Sequence, residues 1–293
     1  MQRCAFITLA GAPNAGKSTL INRLVGDKVS IVTPKVQTTR ARIRGITTVG
    51  DAQLVFVDTP GIFKPKRSLE KAMVRAAWGG MKGADFNCLI VDAKHGFNEE
   101  VQHIAEGMRG REGSPILILN KIDLVSDKST LLLLAAALNA ALPFARTFMV
   151  SALDGEGVID IKNYLAGAAQ VSPWFYPEGQ VTDVSERLFA AEITREKLMM
   201  SLRQEVPYQL MVATEAWEEK GQSVTIRQAI YVTTEGQKKI VIGKGGEGLR
   251  KVGEQARKEL TRLLGRKVHL FLFVKVDPRW LESAEHLRMQ GLE

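Results

Sequence analysis

The segment GAPNAGKS, Gly11 to Ser18, fits G-x-x-x-x-G-K-[ST] and lies between an apolar run, Cys4 to Ala10, and an amphipathic one, Lys17 to Val25. Such a loop works in one setting. A buried strand delivers it and a helix starts on it, so that backbone N–H groups and the positive helix end converge on phosphate oxygens. Within it Gly11, Asn14, Ala15, Gly16, Lys17, Ser18 and Thr19 are the candidate phosphate contacts. Lys17 neutralises phosphate charge and the Ser18 hydroxyl is offered to Mg²⁺. The opening MQRCAFITLAGAP resembles a signal-peptide core, but its apolar run leads directly into the loop and reads as the first strand.

The rest of the N-terminal half continues the pattern. Short β-rich runs (Leu54 to Asp58, Phe86 to Asp92, Ile116 to Asn120, Thr147 to Ser151) alternate with helical ones (Leu69 to Met81, Glu99 to Arg109, Ser129 to Ala141, Val158 to Ala168). This alternation predicts an α/β domain over 1–170, a mainly parallel sheet wrapped by helices. Ile43 to Thr48, followed by a Gly50-Asp51 turn, is expected to run antiparallel to the others. The apolar stretch from Leu131 to Leu142 is shorter than the ~20 residues of a spanning helix. At 293 residues the chain exceeds the ~150 of one domain. The Pro- and aromatic-rich VSPWFYPEGQ marks a packed linker over 171–182, and 183–293 forms a second domain. There the order is helix (Ser185 to Leu202), strands (Tyr208 to Trp217, Ser223 to Thr233), a short helical or extended approach (Lys239 to Ile242), helix (Gly246 to Leu264) and strand (Lys267 to Val276). That α+β order suits a type II KH domain. Cys4 and Cys88 both fall in apolar runs and read as buried, reduced thiols.

Further motifs complete a nucleotide site. In DTPG, the Asp58 carboxylate can hold Mg²⁺ through water and the Gly61 amide can sense a γ-phosphate. Between the loop and DTPG lies PKVQTTRAR, Pro34 to Arg42, where Thr39 offers a second hydroxyl to the metal and senses the same phosphate. Lys17, Thr39 and Gly61 are therefore the candidate catalytic contacts, and Ser18, Thr39 and Asp58 the metal set. NKID supplies Asn120, Lys121 and Asp123; the Asp123 carboxylate can accept from both guanine N–H groups, a pair that adenine lacks, so the base is guanine, discriminated by roughly 10⁴. SAL, Ser151, Ala152 and Leu153, is placed to give an amide to guanine O6. After DxxG stands Ile62, which cannot polarise water, so unaided GTP hydrolysis is expected at roughly 10⁻⁴ to 10⁻² s⁻¹. The four histidines, including His286, have no metal-ligand spacing and are assigned no role.

The second half carries VIGKGGEGLR. Gly243, Lys244, Gly245 and Gly246 form the GxxG of a KH module, in which backbone and a basic side chain lie against about four nucleotides. Ile242, Arg250 and Lys251 flank it as further RNA contacts. Ile240, Val241, Ile242 and Leu249 line a base-binding groove or belong to the core, with core the better reading for each. The chain's net charge is +8, and from Glu235 to Lys275 eleven Lys or Arg face four Glu, a local excess of +7. That balance favours polyanions or an anionic membrane surface.

The set GAPNAGKS, QTTR, DTPG, NKID and SAL, joined to VIGKGGEGLR, resembles the Era family of bacterial ribosome-assembly GTPases over nearly the whole chain. The resemblance implies GTP/GDP and Mg²⁺ as cofactors, 16S rRNA and the small ribosomal subunit as partners, and a role in small-subunit maturation. It further implies a monomeric cytoplasmic protein in loose peripheral contact with the cytoplasmic membrane face. Asn14 matches the position at which relatives coordinate K⁺; an Asn accommodated in a tight turn is the competing reading. Two other functions stay open on the residues alone: a membrane-associated signalling switch whose C-terminal module binds protein or lipid, and an RNA-binding scaffold with a structural nucleotide.

Overall fold

A computed structural model describes residues 1–111, 113–281 and 283, with the side chains of Ser68 and Ser114 left aside; His286 lies outside the described residues. The chain divides into two compact units, Met1–Asp183 and Val184–Glu293.

In the first unit, strands β1 (Arg3–Ala10), β2 (Ile43–Val49), β3 (Ala52–Asp58), β4 (Phe86–Asp92), β5 (Ser114–Asn120) and β6 (Arg146–Val150) form one sheet in the order β2-β3-β1-β4-β5-β6. All neighbours are parallel except β2, which runs antiparallel to β3. The central strands are buried on both faces, and alternate residues feed two cores. Ile7, Leu9, Ile90 and Ile118 join Leu20, Leu24, Ile161 and Leu165 of helices α1 (Lys17–Val25) and α5 (Val158–Ala168). Leu89, Val91, Leu117 and Leu119 join residues of α2 (Ser68–Gly80), α3 (Glu99–Met108) and α4 (Ser129–Ala141) on the other face. Both cysteines are free and buried, and burial pushes the Cys88 thiol up to about 12.

The Pro- and aromatic-rich segment after α5 is bonded to this unit along its length. A two-residue strand β7 (Gln170–Val171) pairs antiparallel with β1. Phe175 meets Phe6 edge to face at 5.0 Å between ring centres. The side chain of Gln53, wholly buried on β3, donates to Tyr176 O at 2.8 Å and accepts from the N–H groups of Phe175 and Tyr176 at 3.0 and 3.1 Å. Ile46 N–H donates to Val181 O at 2.8 Å, and Arg44 pairs with Asp183 at 2.6 Å.

In the second unit, helix α6 (Glu186–Ser201) precedes strands β8 (Leu210–Lys220) and β9 (Ser223–Val232), helices α7 (Glu235–Ile242) and α8 (Glu247–Leu263), and strand β10 (Lys267–Val276). The sheet order is β10-β9-β8, with β9 antiparallel to β8 and parallel to β10. Two elements of this unit differ by more than one residue from the sequence expectation. The approach to the GxxG loop is a full helix starting at Glu235, because Thr234 caps it by accepting from Gln237 N–H while Gln237 Oε1 accepts from Thr233 N–H; the T-x-x-Q signature was there to be read. Strand β8 starts two residues later and runs to Lys220, since Val206–Tyr208 coils into a 3₁₀ turn around Pro207 and a bulge at Thr214/Ala216 carries the pairing on.

Replacing Gln53 by Ala removes three hydrogen bonds from one buried amide and should destabilise the first unit by about 2–3 kcal/mol. Urea unfolding gives the loss, and protease cleavage within 171–182 should accelerate in parallel.

Candidate functional site

The parallel strands end in chemistry-bearing residues along one edge: Ala10 before the phosphate loop, Asp58 closing β3, Asp92 closing β4, Asn120 closing β5 and Ser151 following β6. Register brings them side by side, Leu9 beside Asp58 and Asp92 beside Asn120. The carboxyl edge of such a sheet is where open α/β folds bind ligands. A cavity of about 610 Å³ lies there, lined by the phosphate loop, residues of the 31–39 segment, Gly61, Asp92, His95 and Lys121.

Gly16 caps α1 with φ +97°, and a Cβ there would lie 2.2 Å from Asn120 Nδ2. No other residue fits. The first-turn amides at Lys17, Ser18 and Thr19 therefore stand at the open, positive end of α1. Lys17 is buried, its Nζ donating to Gly11 O at 3.0 Å and Ala12 O at 2.9 Å. Burial lowers its pKa to about 8, against the pull of Asp58. Asn14 takes a left-handed φ of 60° and donates from Nδ2 to Pro34 O at 3.1 Å, so it joins the phosphate loop to the 34–42 segment. Gly61 is pressed against the loop; a Cβ there would lie 2.9 Å from Pro13 Cα. The side chain of Ile62 is buried while its N–H donates to Gly11 O at 3.1 Å.

The three metal candidates converge. Ser18 Oγ donates to Asp58 Oδ2 at 2.7 Å, Thr39 Oγ1 donates to the same oxygen at 3.2 Å, and the two hydroxyls are 2.8 Å apart. Asp58 is fully buried, and burial pushes its carboxyl up against the opposing pull of the Ser18 hydroxyl and of Lys17. Its Oδ1 has no hydrogen-bond partner among the described residues. A buried, half-satisfied carboxylate beside two hydroxyls is an all-oxygen donor set for a small hard cation, which takes few protein ligands and keeps its water. Ser18, Thr39 and Asp58 thus fit Mg²⁺.

Asn120 is buried and double-ended: Nδ2 donates to Ala15 O at 2.9 Å and Oδ1 accepts from Ala152 N–H at 3.0 Å, tying the phosphate loop to the SAL loop. Lys121, at φ 63°, pairs with Asp92 at 2.7 Å. Asp123 is exposed on the 3₁₀ turn Ile122–Leu124; it and residues 151–153 lie outside the cavity lining. Ser151 is buried, its N–H donating to Glu156 O and its hydroxyl to Asp154. The Ala152 amide is held by Asn120, and the Leu153 N–H has no hydrogen-bond partner among the described residues. Arg23, near the end of α1, donates to the carbonyls of Ala152 and Leu153. Sequence reasoning missed it, because a single Arg on a helix gives no sign of a partner 130 residues away.

In the second unit the GxxG loop joins α7 to α8. Gly243 has φ +74°, and a Cβ there would lie 2.9 Å from Gly248 N, so α8 can start close against the end of α7 only with glycine at this point. Lys244, Gly245, Arg250 and Lys251 are exposed, while Ile242 and Gly246 are half-buried. Val252, Ala256 and Leu260 carry α8 into the core at a spacing of four, leaving Arg257, Lys258 and Arg262 on the open face. The four groove candidates divide: Val241 is core, Leu249 packs against it, Ile242 is half-buried and Ile240 is exposed.

A lysine whose pKa is lowered by burial recovers its ordinary value when an anion arrives, so phosphate binding should take up a proton once pH exceeds about 8. Affinity for guanosine diphosphate should be flat below that pH and fall above it, by up to about tenfold per unit. Calorimetry at pH 8.5 in two buffers of different ionisation enthalpy measures the uptake; none would contradict the assignment.

Residues 6–121 match the family described as 50S ribosome-binding GTPase, and residues 205–281 match the KH domain. Among curated relatives, GTPase Era of Brucella suis biovar 1 is 54% identical over 292 residues, covering 99% of this chain and 94% of that protein. GTPase Era of Mesorhizobium japonicum is 56% identical over 289 residues, covering 98% and 93%. Among solved structures, Era in complex with MgGDPNP and nucleotides 1506–1542 of 16S ribosomal RNA superposes with a TM-score of 0.95 at 35% identity, covering 100% of this chain and 99% of that one. A variant of Aquifex aeolicus Era bound to GDP·AlF₄⁻ gives 0.94 at 35% identity, with 99% of each chain covered. A phosphate loop facing a buried DTPG carboxylate, a GxxG loop on a basic helix, and full-length identity above 50% lead to one conclusion: the chain belongs to the Era family of GTPases.

Proposed function

We propose that this GTPase binds GTP and GDP with Mg²⁺, binds 16S rRNA through its KH domain, and acts in maturation of the small ribosomal subunit. The observation that carries the first part is the convergence of Ser18, Thr39 and Asp58 beside Lys17 and the open end of α1. In this reading Gly11 to Thr19 cradle the phosphates, Lys17 and the Gly61 amide meet the γ-phosphate, and Ser18, Thr39 and Asp58 hold Mg²⁺, which would neutralise charge between the phosphates. Asn120 braces the base site, Lys121 borders it, Asp123 selects guanine, and the 151–153 loop faces its oxygen, with Arg23 holding that loop. Buried Ile62 supplies no polar group to the water, so hydrolysis is slow and depends on how well the loops are ordered.

The exposed Lys244, Arg250 and Lys251 around the GxxG backbone, within a segment of excess charge +7, support RNA as the ligand of the second unit. The Era relative solved with a 16S fragment agrees with it. Three finer elements belong to the same proposal: K⁺ beside Asn14, where the side-chain amide and the Pro34 carbonyl meet; action as a cytoplasmic monomer; and loose contact with the anionic cytoplasmic membrane face, which the charge of +8 would favour.

Changing Lys244→Asp together with Gly245→Asp tests the RNA assignment. Gly245 has open space around it and a φ of +60° that Asp tolerates. The variant should keep its circular dichroism and its GDP affinity while losing about 1–3 kcal/mol of affinity for RNA spanning nucleotides 1506–1542 of 16S rRNA. Parental RNA affinity in the folded variant would place the RNA site elsewhere.

A further inference from the structure

Between Thr39 and helix α2 the structure contains a bond that the nucleotide motifs do not require. Gln37, the first residue of QTTR, sits at φ 59°, an uncommon conformation for a side chain of its size. It borders the nucleotide cavity, and its Nε2 donates to Glu70 Oε1 at 3.2 Å. The other oxygen of Glu70 accepts from the N–H groups of Lys66 and Arg67 at 2.6 and 3.1 Å and so caps α2. One carboxylate therefore holds both the start of α2 and the segment that carries Thr39.

We propose that Gln37 is a positioning residue for GTP hydrolysis, a clasp through which the Thr39 segment fixes the 61–70 segment via Glu70. The proposal rests on Thr39 as a γ-phosphate sensor. Residues 61–67 are anchored at one end, where Gly61 abuts Pro13 and Ile62 N–H bonds to Gly11 O, and at the other, where Glu70 holds Lys66 and Arg67. The second anchor answers to the 34–42 segment directly, through Gln37. With Ile62 contributing no polar side chain, the backbone between these anchors is what borders the attacking water, so its order sets the rate. When hydrolysis and phosphate loss free Thr39, Gln37 leaves with it and α2 loses the connection while keeping its own cap.

The test exploits charge. Q37E sets two carboxylates against each other; adding E70Q restores a carboxylate–amide hydrogen bond in the reverse sense, and Gln at position 70 still caps the helix. Single-turnover hydrolysis at saturating Mg·GTP should fall about fivefold in Q37E and Q37A, and return to within about twofold of the parent in Q37E/E70Q. GDP affinity should change less than hydrolysis in every variant, because the Gln37 side chain is turned to Glu70 at the rim of the cavity and Glu70 lies outside the lining. Hydrogen exchange should show protection of 61–70 that depends on a non-hydrolysable GTP analogue in the parent and is lost in Q37A. Parental hydrolysis in Q37E, or a slow Q37E that E70Q fails to rescue, would overturn the clasp. A parent with no GTP-dependent protection at 33–42 would overturn the Thr39 reading and the clasp with it; protection there beside unchanged hydrolysis in Q37E would overturn the clasp alone.

Discussion

Taking a carboxylate out of water costs several kcal/mol unless donors and cations replace the solvent, and the first unit buries Asp58 completely at the end of its second central strand. What replaces the water comes from far along the chain: a hydroxyl from α1, another from the 34–42 segment, and the ammonium of Lys17 nearby. One oxygen is left without a hydrogen-bond partner among the described residues. A protein selected for stability alone would have an apolar residue there. The residual demand for positive charge suits the position to the proposed cation, and through the shared oxygen Thr39 would respond to what fills it.

The same economy recurs around Asn120, whose side chain joins the phosphate loop to the loop after β6, and around Glu70, whose two oxygens serve a helix cap and a neighbouring segment. Each is a polar side chain that closes a long stretch of chain. The loops at the sheet edge are thereby held in register with the strands that deliver them, an order on which slow hydrolysis without a polar side chain after DxxG would depend. The second unit solves a different problem, bringing two helices together at a turn of three glycines and one lysine, a geometry that fits the proposed contact of backbone and charge with RNA.

Much of this was legible in the sequence because the chemistry demands particular residues at fixed spacing. The phosphate loop, DTPG, NKID and GxxG could each be placed on a strand end or helix start from the surrounding hydrophobic period alone. What escaped were long-range polar pairs. Arg23 with Leu153, Gln37 with Glu70 and Gln53 with Tyr176 are separated by 130, 33 and 123 residues, and none carries a local signature. Ile240 and Val241 show another limit: neighbours of like hydrophobicity part company, one exposed and one core, because a helix turns about 100° per residue and its phase depends on the start at Glu235. That start was marked by Thr234 and Gln237, a local signal that outranks the apolar run beside it.

The buried carboxylate is best tested by removing its charge while keeping its shape. In Asp58→Asn, GTP affinity without Mg²⁺ should stay close to parental or improve. The increment that Mg²⁺ adds to affinity in the parent should shrink by about tenfold or more, the range expected when a partner of a bound metal is lost. Titrating parent and variant with a fluorescent GTP analogue, with Mg²⁺ and with excess chelator, yields both numbers. An undiminished Mg²⁺ increment in the variant would contradict the account, because Asp58 would then be buried for a reason other than the metal.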